Sequence, residues 1–141
     1  MLIKEFISET NKNQMISTLL KHYKVGNVKI KMKSMKDHAH YDVDRGELQL
    51  STKYKTIQNR DIKEFLITII HEIRHAMDAR RYGWRKFKNM YEMEIAQWQA
   101  ENPNKDPDDW YRYISFEIEA EEFGQRNWKK WYNKFKKEKL F

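Results

Sequence analysis

The five residues His71-Glu72-Ile73-Arg74-His75 put two imidazoles four positions apart, with a carboxylate directly after the first. On an α-helix that interval stacks both histidines on one face, within reach of a single metal ion, and sets Glu72 beside them. Zinc held in this way lowers the pKa of a bound water to about 7, and an adjacent carboxylate can take the proton as the water attacks a carbonyl. The chemistry this spacing suits is hydrolysis at a zinc centre, with His71 and His75 as ligands and Glu72 as general base. The competing explanation is two surface histidines one helical turn apart. With five His and thirteen Glu among 141 residues, the pattern arises by chance in roughly one or two chains per hundred of this composition. The reading therefore needs support from elsewhere in the chain.

A third ligand has to be found among few residue types. There is no cysteine, which excludes thiolate zinc sites and any disulfide frame. The remaining histidines, His22, His38 and His40, all precede the motif, and Asp78 stands where metzincins carry glycine. A downstream carboxylate is the solution left, as in sites built from two His and one Glu. At 100° per residue, Glu117 shares its helix face with Tyr113, Ile114, Ala120, Gly124 and Trp128, a carboxylate on an apolar stripe. Glu119 and Glu122 fall with Arg112 and Arg126 on a charged face. A buried carboxylate is costly unless something satisfies it, and a metal is one such partner. Glu94 competes, because Phe87, Met90, Tyr91 and Trp98 lie on its side of another helix.

Several elements must position these residues. Ile3, Phe6, Ile7, Met15, Leu19 and Leu20 recur at helical spacing and predict a helix over 3–23, punctuated by Gly26. Val28, Ile30 and Met32 alternate with lysines, and Ala39, Tyr41 and Val43 alternate with His38, His40 and Asp42, as half-buried strands do. Asp44-Arg45-Gly46 then turns into Leu48 and Leu50, the inward positions of a third strand in a hairpin. Asp61 followed by Glu64 has the layout of a capping box for a helix from Ile62 to about Tyr82, stopped by Gly83. A third helix fits 86–100. Asp106 as N-cap and Pro107 at the first helical position predict the start of a long final helical region. The order is α+β: an N-terminal helix, a small three-stranded sheet with a hairpin, the motif helix and C-terminal helices, in a single domain spanning 1–141.

Phe116-Glu117-Ile118-Glu119-Ala120-Glu121-Glu122-Phe123-Gly124 resembles the second motif of gluzincin-type zincins. It is similar to the E-x-x-A-(D/N)-x-F-(A/G) stretch of ImmA/IrrE-like and small phage-encoded metallopeptidases. The resemblance implies a minimal zincin-like domain holding one Zn2+ per chain. It implies that Glu117 is a ligand, that Glu121 supports the site, and that a protein or peptide substrate lies extended along a sheet edge. Glu121 is longer than the Asp or Asn usual at its position.

Other residues carry paired readings. Asp78 lies on the His71 and His75 face, either as a partner of a ligand histidine or as half of a surface salt bridge with Arg74 or Arg81. His38 and His40 point to one side of a strand, as a second site or as solvated side chains. Tyr41, Tyr82 or Tyr113 could donate to an oxyanion, and packing is their default role. The net charge of +7 is concentrated over 126–141, where seven basic residues face Glu138 alone. There Trp128, Trp131 and Phe135 line one face of a helix and Lys129, Lys130, Lys134, Lys136 and Lys137 surround it. The plain reading docks the aromatics on the core. The alternative is a nucleic acid or acidic partner bound through this helix, with proteolysis secondary or absent. No stretch approaches the roughly 20 apolar residues of a membrane span, and Met1 to Glu9 lacks the pattern of a signal peptide. A cytoplasmic protein is the expectation, in the host cell if the chain is phage-encoded.

Overall fold

The computed structural model describes residues 6–141. Their order is β1 (Phe6–Ile7), α1 (Glu9–His22), β2 (Lys29–Lys33), β3 (Ala39–Asp42), β4 (Glu47–Ser51), β5 (Ile57–Gln58), α2 (Ile62–Tyr82), α3 (Trp84–Glu101) and α4 (Ser115–Lys137). Short 3-10 turns occupy Thr52–Lys55, Asn59–Asp61 and Pro107–Arg112. The fold is α+β, with the small sheet ahead of the motif helix and two long helices after it.

In the sheet β4 is central, β2 lies parallel to it and β3 antiparallel, so β2 and β3 are the two edges. The hairpin is the one expected, turning through Asp44-Arg45-Gly46 with Tyr41 opposite Leu48. Leu48 and Leu50 are fully enclosed and join Met15 and Leu19 of α1 and Phe65 and Ile69 of α2 in the main core. In α2, Ile62, Phe65, Leu66, Ile69, Ile70 and Ile73 are all sealed from solvent. The helix is apolar on more than one stripe because it runs between the sheet and α4. Each such side chain contributes about 1.5–3 kcal/mol of burial, which makes α2 the most firmly held element. It ends where Gly83 adopts φ +84°, a conformation costly for any residue with a Cβ. A second, smaller cluster of Ala79, Phe87 and Phe116 ties the end of α2 to α3 and to the start of α4.

Three sequence expectations are corrected. The helix expected from residue 3 begins at Glu9, because the Ser8 side chain caps the Asn11 amide at 3.1 Å, while Phe6 and Ile7 pair with Gln58 and Ile57 as a strand. Ile3 lies outside the described residues. Asp61 does not cap α2. The 3-10 turn before the helix holds it at φ −98°, ψ 5°, whereas a capping side chain needs extended backbone. Glu64 is engaged instead by Lys53 at 2.8 Å and by the Tyr54 hydroxyl at 3.1 Å. The final helical region is broken in two. Asp106 caps the Asp108 amide, but only the 3-10 turn follows, and Ile114 is extended (φ −78°, ψ 144°) before α4 starts at Ser115. Among the described residues no helix is long and apolar enough to cross a membrane.

Candidate metal centre

His71, Glu72 and His75 sit in the middle of α2, where the apolar residues on either side hold the helix rigid. All three are nearly buried, at 6%, 5% and 5% exposure. Each offers one ligand atom within 4.8 Å of the others. Glu117, in the first turn of α4, is 4% exposed and brings Oε1 to 2.9 Å from His71 Nε2 and 3.1 Å from His75 Nε2. Two nitrogens and one carboxylate oxygen therefore converge on one point from two helices. Tetrahedral zinc with ligands at roughly 2.0–2.1 Å needs donor atoms about 3.3 Å apart, slightly wider than these contacts, so the donor set fits.

The register between the helices rests on Gly124. A Cβ there would lie 2.9 Å from the Ile67 carbonyl oxygen, so α4 runs against the backbone of α2 at this point. Phe116, packed on Phe87 and Tyr91, fixes the other side of the first turn of α4.

The remaining groups surround the donors. Glu72 Oε2 stands 3.9 Å from His71 Nε2, beside the convergence point, while its Oε1 accepts the main-chain amide of Tyr41 at 3.1 Å. Glu121 Oε2 contacts His71 Nδ1 at 3.1 Å, although its side chain is half exposed. The Tyr91 hydroxyl donates to Glu117 Oε2, and the Tyr111 hydroxyl lies 3.4 Å from His71 Nε2 with its ring parallel to that imidazole.

Burial would raise the Glu117 carboxyl, but hydrogen bonds from His71 and His75 outweigh it and hold the group well below the usual carboxylate range. Burial opposes the His71 imidazolium, yet the bond to Glu117 and the charges of Glu72 and Glu117 raise it to about 9. In the metal-free chain a proton on His71 thus supplies positive charge against the buried Glu117 carboxylate. Burial, with the Glu117 charge next, pushes the Tyr91 and Tyr111 phenols far up, so both remain hydrogen-bond donors.

No protein-family model, curated protein or solved structure matches the chain.

His71, Glu72, His75, Glu117 and Glu121 lie together around the centre. Glu94 does not: its carboxylate bonds the Ser115 hydroxyl at 2.6 and 2.8 Å, holding the start of α4. Glu119 is exposed and lies 3.6 Å from Arg74. His38 and His40 are exposed, His38 beside Glu64 at 3.4 Å, and neither joins the centre. Asp78 pairs with Arg74, as one of its readings had it, but it is buried rather than on the surface. Of the tyrosines considered, Tyr113 stacks on Trp98, Tyr82 packs edge-on to Phe116, and Tyr41 contributes its amide rather than its phenol. Tyr91 and Tyr111 are the phenols at the centre. Tyr91 carried a faint signal, since it stands one turn after Phe87 on the inward face of α3. Tyr111 carried none, because it sits in a turn that the pattern assigns to a helix. On the basic helix Trp131 and Phe135 are buried in the main core, and Lys129, Lys130, Lys134, Lys136 and Lys137 are exposed around them.

Proposed function

We propose that the chain is a zinc-dependent metallopeptidase in which His71, His75 and Glu117 hold one Zn2+ and Glu72 is the general base. The observation that carries this reading is the convergence of both histidine Nε2 atoms on one oxygen of a buried carboxylate more than 40 residues away. Zinc bound there would act as a Lewis acid toward water and the scissile carbonyl. Glu72, held beside the centre by the Tyr41 amide, takes the proton from the attacking water and returns it to the departing amine. Tyr111, kept protonated and partly open to solvent, is placed to donate to the carbonyl oxygen as it gains charge.

The edge strand β3 supports a peptide substrate. The His38 carbonyl accepts from Ser51, so alternate residues bond β4 while the main-chain groups of Ala39 and Tyr41 turn to the outer edge, where the Tyr41 amide is taken by Glu72 and the Tyr41 carbonyl and both Ala39 groups face away from β4. That edge runs beside Glu72 and offers an extended peptide these few backbone partners.

The test compares zinc content and cleavage of an unstructured protein substrate in two variants. Glu72→Gln keeps every proposed ligand and should retain zinc while hydrolysis falls about 10²–10⁴-fold, the usual worth of a general base. Glu117→Gln replaces an anionic ligand by a neutral one and should lose zinc. A wild-type chain that takes up no zinc near neutral pH, or an active wild type matched by Glu72→Gln, overturns the proposal.

A further inference from the structure

Among the described residues two buried side-chain atoms have no hydrogen-bond partner: His75 Nδ1 and Asp78 Oδ2. They belong to residues three positions apart on α2, both about 95% buried or more. A helical side chain leans toward the N-terminus of its helix, so the Asp78 carboxylate covers the turn that carries Arg74 and His75. One of its oxygens already accepts from Arg74 Nε at 3.4 Å, which leaves Oδ2 as the oxygen without a partner. The two unpartnered atoms are complementary, since an imidazole Nδ1–H donates and a carboxylate oxygen accepts.

The two histidines are otherwise treated alike. Each turns Nε2 to Glu117, and His71 has Glu121 at its Nδ1. Only His75 lacks a group to fix which ring nitrogen carries the proton. Leaving both polar atoms buried and unsatisfied would forfeit their solvation with nothing in return.

We infer that Asp78 is the positioning residue of His75: its Oδ2 accepts the Nδ1 proton, across one buried water or after a small side-chain shift, and so leaves Nε2 to present its lone pair when a metal is bound. This rests on the metal centre proposed above, where a ligand imidazole needs its outer N–H anchored for its ring and tautomer to be set.

The experiment uses the full chain with Asp78→Asn, Asp78→Ala and, as a control, Arg74→Met, which removes the other partner of Asp78. Zinc affinity is measured by competition with a chromophoric chelator, and the ring nitrogens and protons of the histidines are followed by NMR with and without zinc. Asp78→Ala should weaken zinc binding about 10–100-fold and Asp78→Asn less, the usual range for a lost outer partner of a ligand. The His75 Nδ1 proton should exchange with solvent faster in both variants while the His71 signals stay in place. Arg74→Met should bind zinc nearly as wild type does. Unchanged His75 signals in the Asp78 variants overturn the inference, and Asp78→Asn alone decides if Asp78→Ala fails to fold. So does an Arg74→Met chain that loses as much zinc affinity as Asp78→Ala, because Asp78 would then act through its ion pair. Should the wild type bind no zinc, the peptidase reading fails by itself, while His75 Nδ1 in the metal-free chain still reports the bond to Asp78.

Discussion

The two halves of α4 face the same neighbour, α2, and do opposite things. The first half turns Glu117 and Glu121 toward two histidines, so a close-packed helix interface contains buried charge. The second half turns Trp131 and Phe135 into the main core, the bulk of its polar side chains remaining outside. Gly124 lies between them, where α4 leaves no room for a side chain against the Ile67 carbonyl of α2. Apolar packing in the second half needs no partner but its own shape. The first half is stable only when something answers its carboxylates, and in the metal-free chain that is the raised His71 imidazolium. One interface thus supplies rigidity at one end and a demand for a cation at the other.

That contrast can be broken from either end. Phe135→Ala should cost about 3–5 kcal/mol of stability, the largest effect expected here, and equally with or without zinc, as denaturant titration in zinc and in chelator would show. Zinc at about 100 times its Kd should stabilise the wild type by about 2.7 kcal/mol. Phe135→Ala should keep that increment, whereas Glu117→Gln should lose most of it. Equal zinc increments in both variants would mean that the first half of α4 has no special relation to the metal. Gly124→Ala should cost about 1–3 kcal/mol by pressing a methyl on the Ile67 carbonyl, and it should weaken zinc binding too, since Glu117 rides on the displaced helix. The smallest effect belongs to the basic rim. Changing Lys129, Lys130, Lys134, Lys136 and Lys137 to Gln should alter stability within about 0.5 kcal/mol per site and leave zinc content as it was. Retained, salt-dependent binding to a polyanion in that variant would remove the basic helix from any nucleic-acid role. Cutting the chain at Lys134 is a poorer test, because Phe135 and Leu140 are core residues.

The sequence by itself determined whatever depends on a repeat distance along one element. His71 and His75 share a face because four residues make just over one helical turn. Glu117 could be chosen over Glu119 because the same wheel puts Ala120 and Gly124 on its side and arginines on the other. The hairpin of β3 and β4 followed from alternation around a turn. What the chain could not disclose locally is where one element meets another. Ser8 and Asp61 are both plausible caps, and backbone angles set by pairing with β5 and by a preceding 3-10 turn decided which one acts. The break at Tyr113 and Ile114 is invisible to periodicity, yet it brings Tyr111 over His71 from a different direction than a continuous helix would. Tyr91, the Tyr41 amide and the pairing of α2 with α4 also join residues tens of positions apart. Local spacing is governed by backbone geometry, which each segment carries with it. Contacts across the fold depend on the packing of all segments at once, and only the tertiary structure specifies that.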